Sequence, residues 1–422
     1  VRGNVLAMGL VSLLTDFSSE MMNPLLPIFV AGLVGGPMAA IWVGIIEGVA
    51  ETTAAILKIY SGRISDKTGK RKALVLIGYG ASSVARPLTA LVGITSLAFA
   101  GVQVLALKFF DRVGKGIRTS PRDALIGDSV APEYRGLAFS FHRSMDHLGA
   151  VAGPLVAMAA LGLMIGDNLW TQPAMHTRGQ AVGPEAMTAM RWIFAFALVP
   201  GLAALAALVF MVKETAPKPS GGPAIGSVAG LPRKFYAYVG IVALFALGNS
   251  SDMFIVLLAA KKFDMSLMGL LNLWILLHVS KIVFSVPGGL LSDKIGRRPV
   301  IVGGWIIYAL VYLGFAFSTE QWHFWALVMT YGVFFGMTEG TEKALVADFV
   351  PAERRATGFG VYHAAVGMAV LPANLLIGTA WTWLDKWQPG MGSVVAFGAG
   401  AALAGTAAVL LTLLLATSRQ SK

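Results

Sequence analysis

The chain of 422 residues is 56% hydrophobic and only 13% charged, with a mean hydropathy of +0.71, where an average soluble domain carries roughly 25% charged residues. This balance excludes a soluble domain and identifies a membrane protein, and the absence of cysteine removes disulfides and thiolate metal sites. The net charge of +11 calls for no nucleic-acid partner: Lys67, Lys70, Arg71, Lys72, Arg135, Lys213, Lys294, Arg297, Arg298, Arg354 and Arg355 fall in alternate loops, as the positive-inside rule requires of a cytoplasmic face.

Apolar runs recur along the whole length, each long enough to cross a hydrocarbon core of about 30 Å as a helix. Period-two alternation is missing, so the spans must satisfy their backbone bonds as helices. The predicted spans are 5–34, 39–63, 72–94, 97–128, 136–164 and 190–212, then 235–259, 266–291, 298–318, 322–349, 356–382 and 393–416. The fold class is therefore an all-α membrane protein, with twelve transmembrane helices in two six-helix pseudo-symmetric bundles. The first run is too long for a signal-peptide core and is expected to remain as a span. Both termini are then cytoplasmic, in a bacterial-type inner membrane. The segment 214–234, rich in Pro, Gly, Ser and Ala, reads as a flexible linker. It separates an N-terminal bundle (1–213) from a C-terminal one (235–422).

Polar residues interrupt these spans at particular places. Span 1 carries Asp16 and Glu20 ahead of Pro24 and Pro27, and span 2 carries Glu47 and Glu51 one turn apart, with Lys58 two turns beyond. Carboxyls in apolar surroundings suit reversible protonation, and span 8 offers His278, a residue type whose ordinary titration falls near physiological pH. Span 3 holds Arg86. Span 4 is the most charged, with Lys108, Asp111, Arg112, Lys115, Arg118, Arg122 and Asp123. Each would cost about 2.5–3.5 kcal/mol at mid-membrane, so partners or water must meet them. Lys108, Arg112 and Lys115 share a helical face that would suit an anionic group on a substrate, or pair internally with Asp16, Glu20, Glu47, Glu51, Asp111 and Asp146. Span 5 adds His142, Arg143, Asp146 and His147. Arg143 and Asp146 can pair at i, i+3, while His142 and Asp146, one turn apart, could instead bind a substrate or metal. The eighteen Met residues raise a soft-metal reading, but no His and Met cluster recurs at ligand spacing, so no metal site is expected.

Three blocks repeat in the same order in both halves. "GRISDKTGKRK" (62–72) matches "GLLSDKIGRRP" (289–299), with Asp66 and Asp293 in register; "FSSEM" (17–21) matches "NSSDM" (249–253); and "RDALIGDSVAPEYRG" (122–136) matches "EKALVADFVPAERRA" (342–356), with Asp128 and Asp348 in register. Glu51 aligns with His278 when the halves are set in the register of Asp66 and Asp293. Parallel six-helix repeats create a site near the bilayer midplane that is reached alternately from each side. Pro24 and Pro27 have no counterpart, since Val256 and Ala259 stand there, so bending is expected in span 1 alone.

On these residues the chain resembles the major facilitator superfamily over essentially its whole length: Gly62, Asp66, Lys67, Gly69, Lys70 and Arg71, with Gly289, Asp293, Lys294, Gly296, Arg297 and Arg298, look like both copies of its signature loop. The resemblance implies secondary transport without ATP and without a cofactor. It implies a cytoplasmic gate in which Asp66 meets the start of span 11 and Lys70 or Arg71 reaches Asp128, with Asp293, Arg297 and Asp348 as the mirrored set. By position Lys108 looks like the basic residue of the family's span 4 motif. In span 5, "GAVAGP" places Gly149, Gly153 and Pro154 in a pattern that resembles the antiporter motif of efflux members, with Leu155 to Met158 where a further glycine pair is usual.

The reading is a monomeric secondary transporter, not an enzyme, that exports a small organic solute, suited to an anionic group, by proton antiport. Its rivals are a proton-coupled importer of an organic acid, nutrient or metal chelate, and a non-transporting membrane sensor.

Overall fold

The computed structural model describes residues 3–34, 36–94, 97, 99–165, 184–215, 230–249, 252–263, 267–388 and 390–416. Among them there are fifteen α-helices and no strand: α1 (Asn4–Glu20), α2 (Leu26–Val34), α3 (Gly36–Thr68), α4 (Arg71–Leu88), α5 (Ala100–Asp128), α6 (Arg135–Ile165), α7 (Pro184–Phe196), α8 (Leu198–Met211), α9 (Arg233–Gly248), α10 (Met253–Phe263), α11 (Leu267–Ile295), α12 (Arg297–Phe317), α13 (Gln321–Phe349), α14 (Arg355–Trp387) and α15 (Met391–Ala416). They make up the twelve spans, because spans 1, 6 and 7 are each divided in two. Segments such as Pro184–Met211, with mean hydropathy 2.5, are long and apolar enough to cross a membrane by themselves. The 29 residues of α5 have the length, but their charges must be met by neighbouring helices.

Contacts divide the chain into two compact units, Val1–Ser129 with Met145–Gly222, and Val130–Ser144 with Pro223–Lys422. The first turns of α6 thus belong with the second unit and the remainder of α6 with the first. Linker residues 216–229, which include Lys218, lie outside the described residues.

The breaks have local causes. Pro24 has no N–H to give the Glu20 carbonyl, so α1 stops at Glu20 and a turn through Asn23 leads to α2; Pro27 then sits in the first turn, where a donor is not needed. The expectation that span 1 alone bends is corrected here, since α9 ends at Gly248 and α10 begins only at Met253. No proline causes that break. The carbonyl of Gly248 accepts from the Tyr308 hydroxyl at 2.8 Å, and Gly248 meets the backbone of Gly400 so closely that a side chain would collide. A neighbouring helix supplies the bond that α9 gives up. In span 6 the division before Pro200 is slight, and Ser18 Oγ donates to Ala197 O at 2.8 Å there.

The two signature segments, read as loops in the sequence, are mostly helix. Gly62 and Asp66 lie in the last turns of α3, and Gly289 and Asp293 in those of α11. Only Gly69 with Lys70, and Gly296, interrupt the chain, and φ of +66° and +96° explains the repeated glycine, because this region penalises a Cβ.

α6 packs on α1 through its small residues. A Cβ on Gly149 would meet Leu13 O and Phe17 N, and one on Gly153 would meet Phe17 O and Met21 N; Pro154 follows without ending the helix. Gly153→Val is expected to destabilise the protein by about 1–3 kcal/mol through overpacking, read as a lower thermal midpoint in detergent. Gly162→Ala, on the same helix with open space around it, should be neutral or gain up to about 1 kcal/mol.

Candidate functional site

In the first unit the carboxylates of α1 meet basic residues of α4 and α5. Arg86 Nε donates to Asp111 Oδ1 at 2.9 Å and its Nη1 to Thr15 O at 2.9 Å, and both side chains are under a tenth exposed. Beside the break after α1, Asn23 Nδ2 donates to Glu20 Oε1 at 2.9 Å while Asn23 Oδ1 accepts from Lys108 Nζ at 3.1 Å. The break therefore turns one amide into a bridge between an acid and a lysine. Ser19, Asn23, Arg86, Lys108 and Asp111 line one small cleft of about 30 Å³ together with Met22, Leu26 and Leu107. Asp16 lies within electrostatic reach of Asp146, Glu20, Arg86 and Arg118, and Asp146 accepts a hydrogen bond from Ser12. Glu51 pairs with Arg112 at 3.3 Å and with Lys115 at 3.4 Å. Glu47 lies on α3, where its side chain is outside the described residues.

The basic face of α5 is thus met by acids from its own and neighbouring helices, the internal pairing that the sequence held open against direct substrate binding. Arg118 adds a bond to Ser82 at 2.6 Å and stacks on Tyr79 at 4.5 Å. Arg–carboxylate pairs of this kind hold fixed geometry, and losing one partner from a buried pair costs about 3–5 kcal/mol.

In the second unit Asp252 stands between α9 and α10. Its carboxylate accepts from Lys281 Nζ at 2.9 Å and from the Tyr331 hydroxyl at 3.0 Å. Lys281 is buried and also lies 3.7 Å from the centre of the Phe335 ring, a cation–π contact that strengthens where water is excluded. His278, one turn before Lys281, sets its ring 5.1 Å from Trp274. Arg143 Nε approaches Glu339 to 4.0 Å, so the structure sets Arg143 against α13 and Asp146, three residues on, against α1.

The signature residues form two charge clusters. In the first unit Arg71 bonds Asp128 and lies 3.4 Å from Asp66, while Lys70 stands directly before α4 and its backbone N–H donates to Thr68 Oγ1 at 3.3 Å. In the second unit Asp293 accepts the N–H groups of Gly136 and Leu137 at 3.0 and 2.8 Å. These are orphan donors of the α6 N-terminus, where the helix dipole favours an anion. Arg297 bonds Asp293 and reaches Asp348 at 3.3 Å and Pro132 O at 2.8 Å. Arg135 closes the cluster on Asp348 at 2.6 Å. Arg298 is half-buried in the first turn of α12. Gly289 and Gly340 let Ser140 of α6 lie against α11 and α13, since a Cβ on either would strike it.

Sequence reasoning passed over Asn23, Ser12 and Tyr331. Asn23 had a signal, an amide directly before a proline inside an apolar run. Ser12 and Tyr331 had none, because hydroxyls are common in membrane helices and their partners lie far along the chain.

The second cluster is open to a direct check. Ser140→Cys places the only thiol in a chain that has none, at a site 1% exposed. Asp293→Asn removes charge-assisted bonds worth about 1.5–3 kcal/mol. Maleimide labelling of Cys at 140 should therefore be slow in the parent and faster by about tenfold or more with Asp293→Asn.

Comparison with known proteins agrees with this architecture. The Major Facilitator Superfamily model matches residues 8–280 and 240–422. An uncharacterised MFS-type transporter of Methanocaldococcus jannaschii is 32% identical over 402 residues, covering 94% of this chain and 93% of that one. The class B tetracycline resistance protein of Escherichia coli is 32% identical over 111 residues, 26% of this chain and 27% of that one. The crystal structure of the human organic anion transporter MFSD10 shares the fold, with a TM-score of 0.73 at 16% identity over 97% of this chain and 98% of that one. The paired helix bundles, the duplicated Asp and Gly segments and the family match over the chain place this protein in the major facilitator superfamily of secondary transporters.

Proposed function

We propose that the protein is a proton-coupled antiporter that exports a small organic solute across a bacterial-type inner membrane, acting as a monomer by alternating access with both termini in the cytoplasm. In this reading the six-helix bundles are 1–213 and 235–422, joined by the linker 214–234, and the Asp293, Arg297 and Asp348 cluster with its Asp66, Arg71 and Asp128 counterpart acts as the cytoplasmic gate. One observation carries the coupling. In each unit an acid stands at a broken helix and is tied to a lysine of another helix, Glu20 through Asn23 to Lys108 and Asp252 to Lys281. Discontinuous helices are where transporters of this kind bind substrates and coupling ions. Protonating such a carboxylate removes its hold on the lysine, so proton and solute can exchange through one pair of groups.

Two features support export. The Gly149, Gly153 and Pro154 pattern resembles the antiporter motif, and one relative is named for resistance to a drug, an outcome that removal of the drug from the cell would produce. Arg86 and Lys108 on one cleft suit a solute with an anionic group, and they also suit the second reading, import of an organic acid with protons.

Purified protein in liposomes under an imposed pH gradient, with internal pH followed by a dye against a panel of solutes, tests both coupling and direction. Solute-dependent proton flux is expected, and Glu20→Gln or Asp252→Asn should each lower it by about tenfold or more, about 1.4 kcal/mol of barrier. Equal solute flux with and without the gradient would rule out coupling. Full coupling in both variants would rule out these acids, and accumulation down the proton gradient would select import.

A further inference from the structure

Glu342 is an acid that the transport reading leaves unused. It lies on α13 two turns before Asp348 and is 7% exposed. Its two carboxylate oxygens accept from Trp305 Nε1 on α12 at 3.0 Å and from the Tyr362 hydroxyl on α14 at 2.8 Å, while its backbone carbonyl accepts from the Tyr238 hydroxyl on α9 at 3.2 Å. Both side-chain donors are neutral. This sets Glu342 apart from Asp111, Asp252 and Asp293, each of which faces an arginine or lysine at close range.

Among the described residues, the charged and titratable groups around it do not supply a counter-ion at contact. On α13, Glu339 lies one turn away and adds like charge, and it faces Arg143 of α6. Lys343 is the next residue and leaves the helix about 100° further round. From α14 come Tyr362 and, with its ring 5.2 Å from that of Tyr362, His363. From α9 comes Tyr238, and α12 presents the indole of Trp305. An ionised carboxylate in such a place pays a desolvation cost of several kcal/mol that two neutral donors only partly offset. A carboxylic acid there can keep both contacts, accepting from Trp305 and exchanging a proton with the Tyr362 hydroxyl as donor or acceptor.

We propose that Glu342 is a proton-binding site of the second unit, whose protonation state sets how α12, α13 and α14 are tied together two turns from the Asp293, Arg297 and Asp348 cluster. The site is separate from Asp252, and the inference needs neither a substrate nor a direction of transport. Proton uptake at Glu342 makes the carboxyl a donor as well as an acceptor. Release leaves an anion that draws the Tyr362 and Trp305 donors more strongly and places repulsion against Glu339. The gate helices α13 and α14 would thereby sense pH through a group with no exposure to bulk water of consequence.

Infrared difference spectroscopy of the full-length protein in lipid, titrated between about pH 5 and 9 across the range in which perturbed carboxyls ionise, reads this directly. A carboxylic C=O band that changes within that range is expected in the parent and absent in Glu342→Gln. Tyr362→Phe and Trp305→Phe keep the carboxyl and should each move the frequency of that band, which holds the assignment even where Glu342→Gln folds poorly. A Glu342-dependent band that stays constant across the range would mean a fixed structural acid and overturn the proposal. So would the lack of any such band, or a band unmoved by both aromatic variants. Because no solute or gradient enters, failure here would leave the antiport reading standing, and failure of antiport would leave this site standing.

Discussion

The structure depends on one constraint: a charge placed in an apolar helix bundle must find a partner within the bundle. α5 is built around it. Eight ionisable residues along 29 positions could not be lodged in hydrocarbon, and α1, α3 and α4 surround them with Glu51, Glu20 through Asn23, and Arg86. Asp111 on α5 serves as the internal counter-ion for Arg86. The small faces of α5 follow from the same need. Gly114 meets the backbone of Gly78, and Gly116 that of Ala54, which brings α3, α4 and α5 close enough for short side chains to reach one another.

The second unit meets the constraint by different means. Where the first unit gathers several arginines and acids around α5, the second sets the Lys281 and Asp252 pair among rings: Tyr308 and Tyr331 lie 6.0 Å apart, and Phe334 lies 4.9 Å from Tyr308. Lys281 is stabilised by Asp252 and by the Phe335 face. The repeat has kept the position of an acid in the first helix of each half while changing what surrounds it.

Much of this architecture was legible in the sequence, and the reason is that hydropathy and duplication act over long stretches. Twelve apolar runs and the paired Asp66 and Asp293 segments report a fold without side-chain detail. Helix breaks were legible only where the cause is local, as at Pro24. The partners of Arg143 and Asp252 were not legible, and Glu51 was one of six acids open to the basic face, because which of several groups a long side chain reaches depends on helix rotation and on crossings set by glycines such as Gly289 and Gly340. The internal pairing of the basic face was foreseeable as an option, yet its geometry came through Asn23, an uncharged residue that a search for charges does not select.

The hydroxyl of Tyr308 on the carbonyl of Gly248 shows where the information for a helix's shape is stored. Residues 233–263 hold no proline, and the poor helix formers Gly248-Asn249-Ser250-Ser251-Asp252 mark where they divide. What meets the end of the first helix is a donor on α12, some sixty residues later in the chain, and a close backbone approach from α15. The conformation of this segment is thus written in part in the sequences of its neighbours, so a change on α12 can reshape the ground beneath Asp252 without touching either the acid or the helix that carries it.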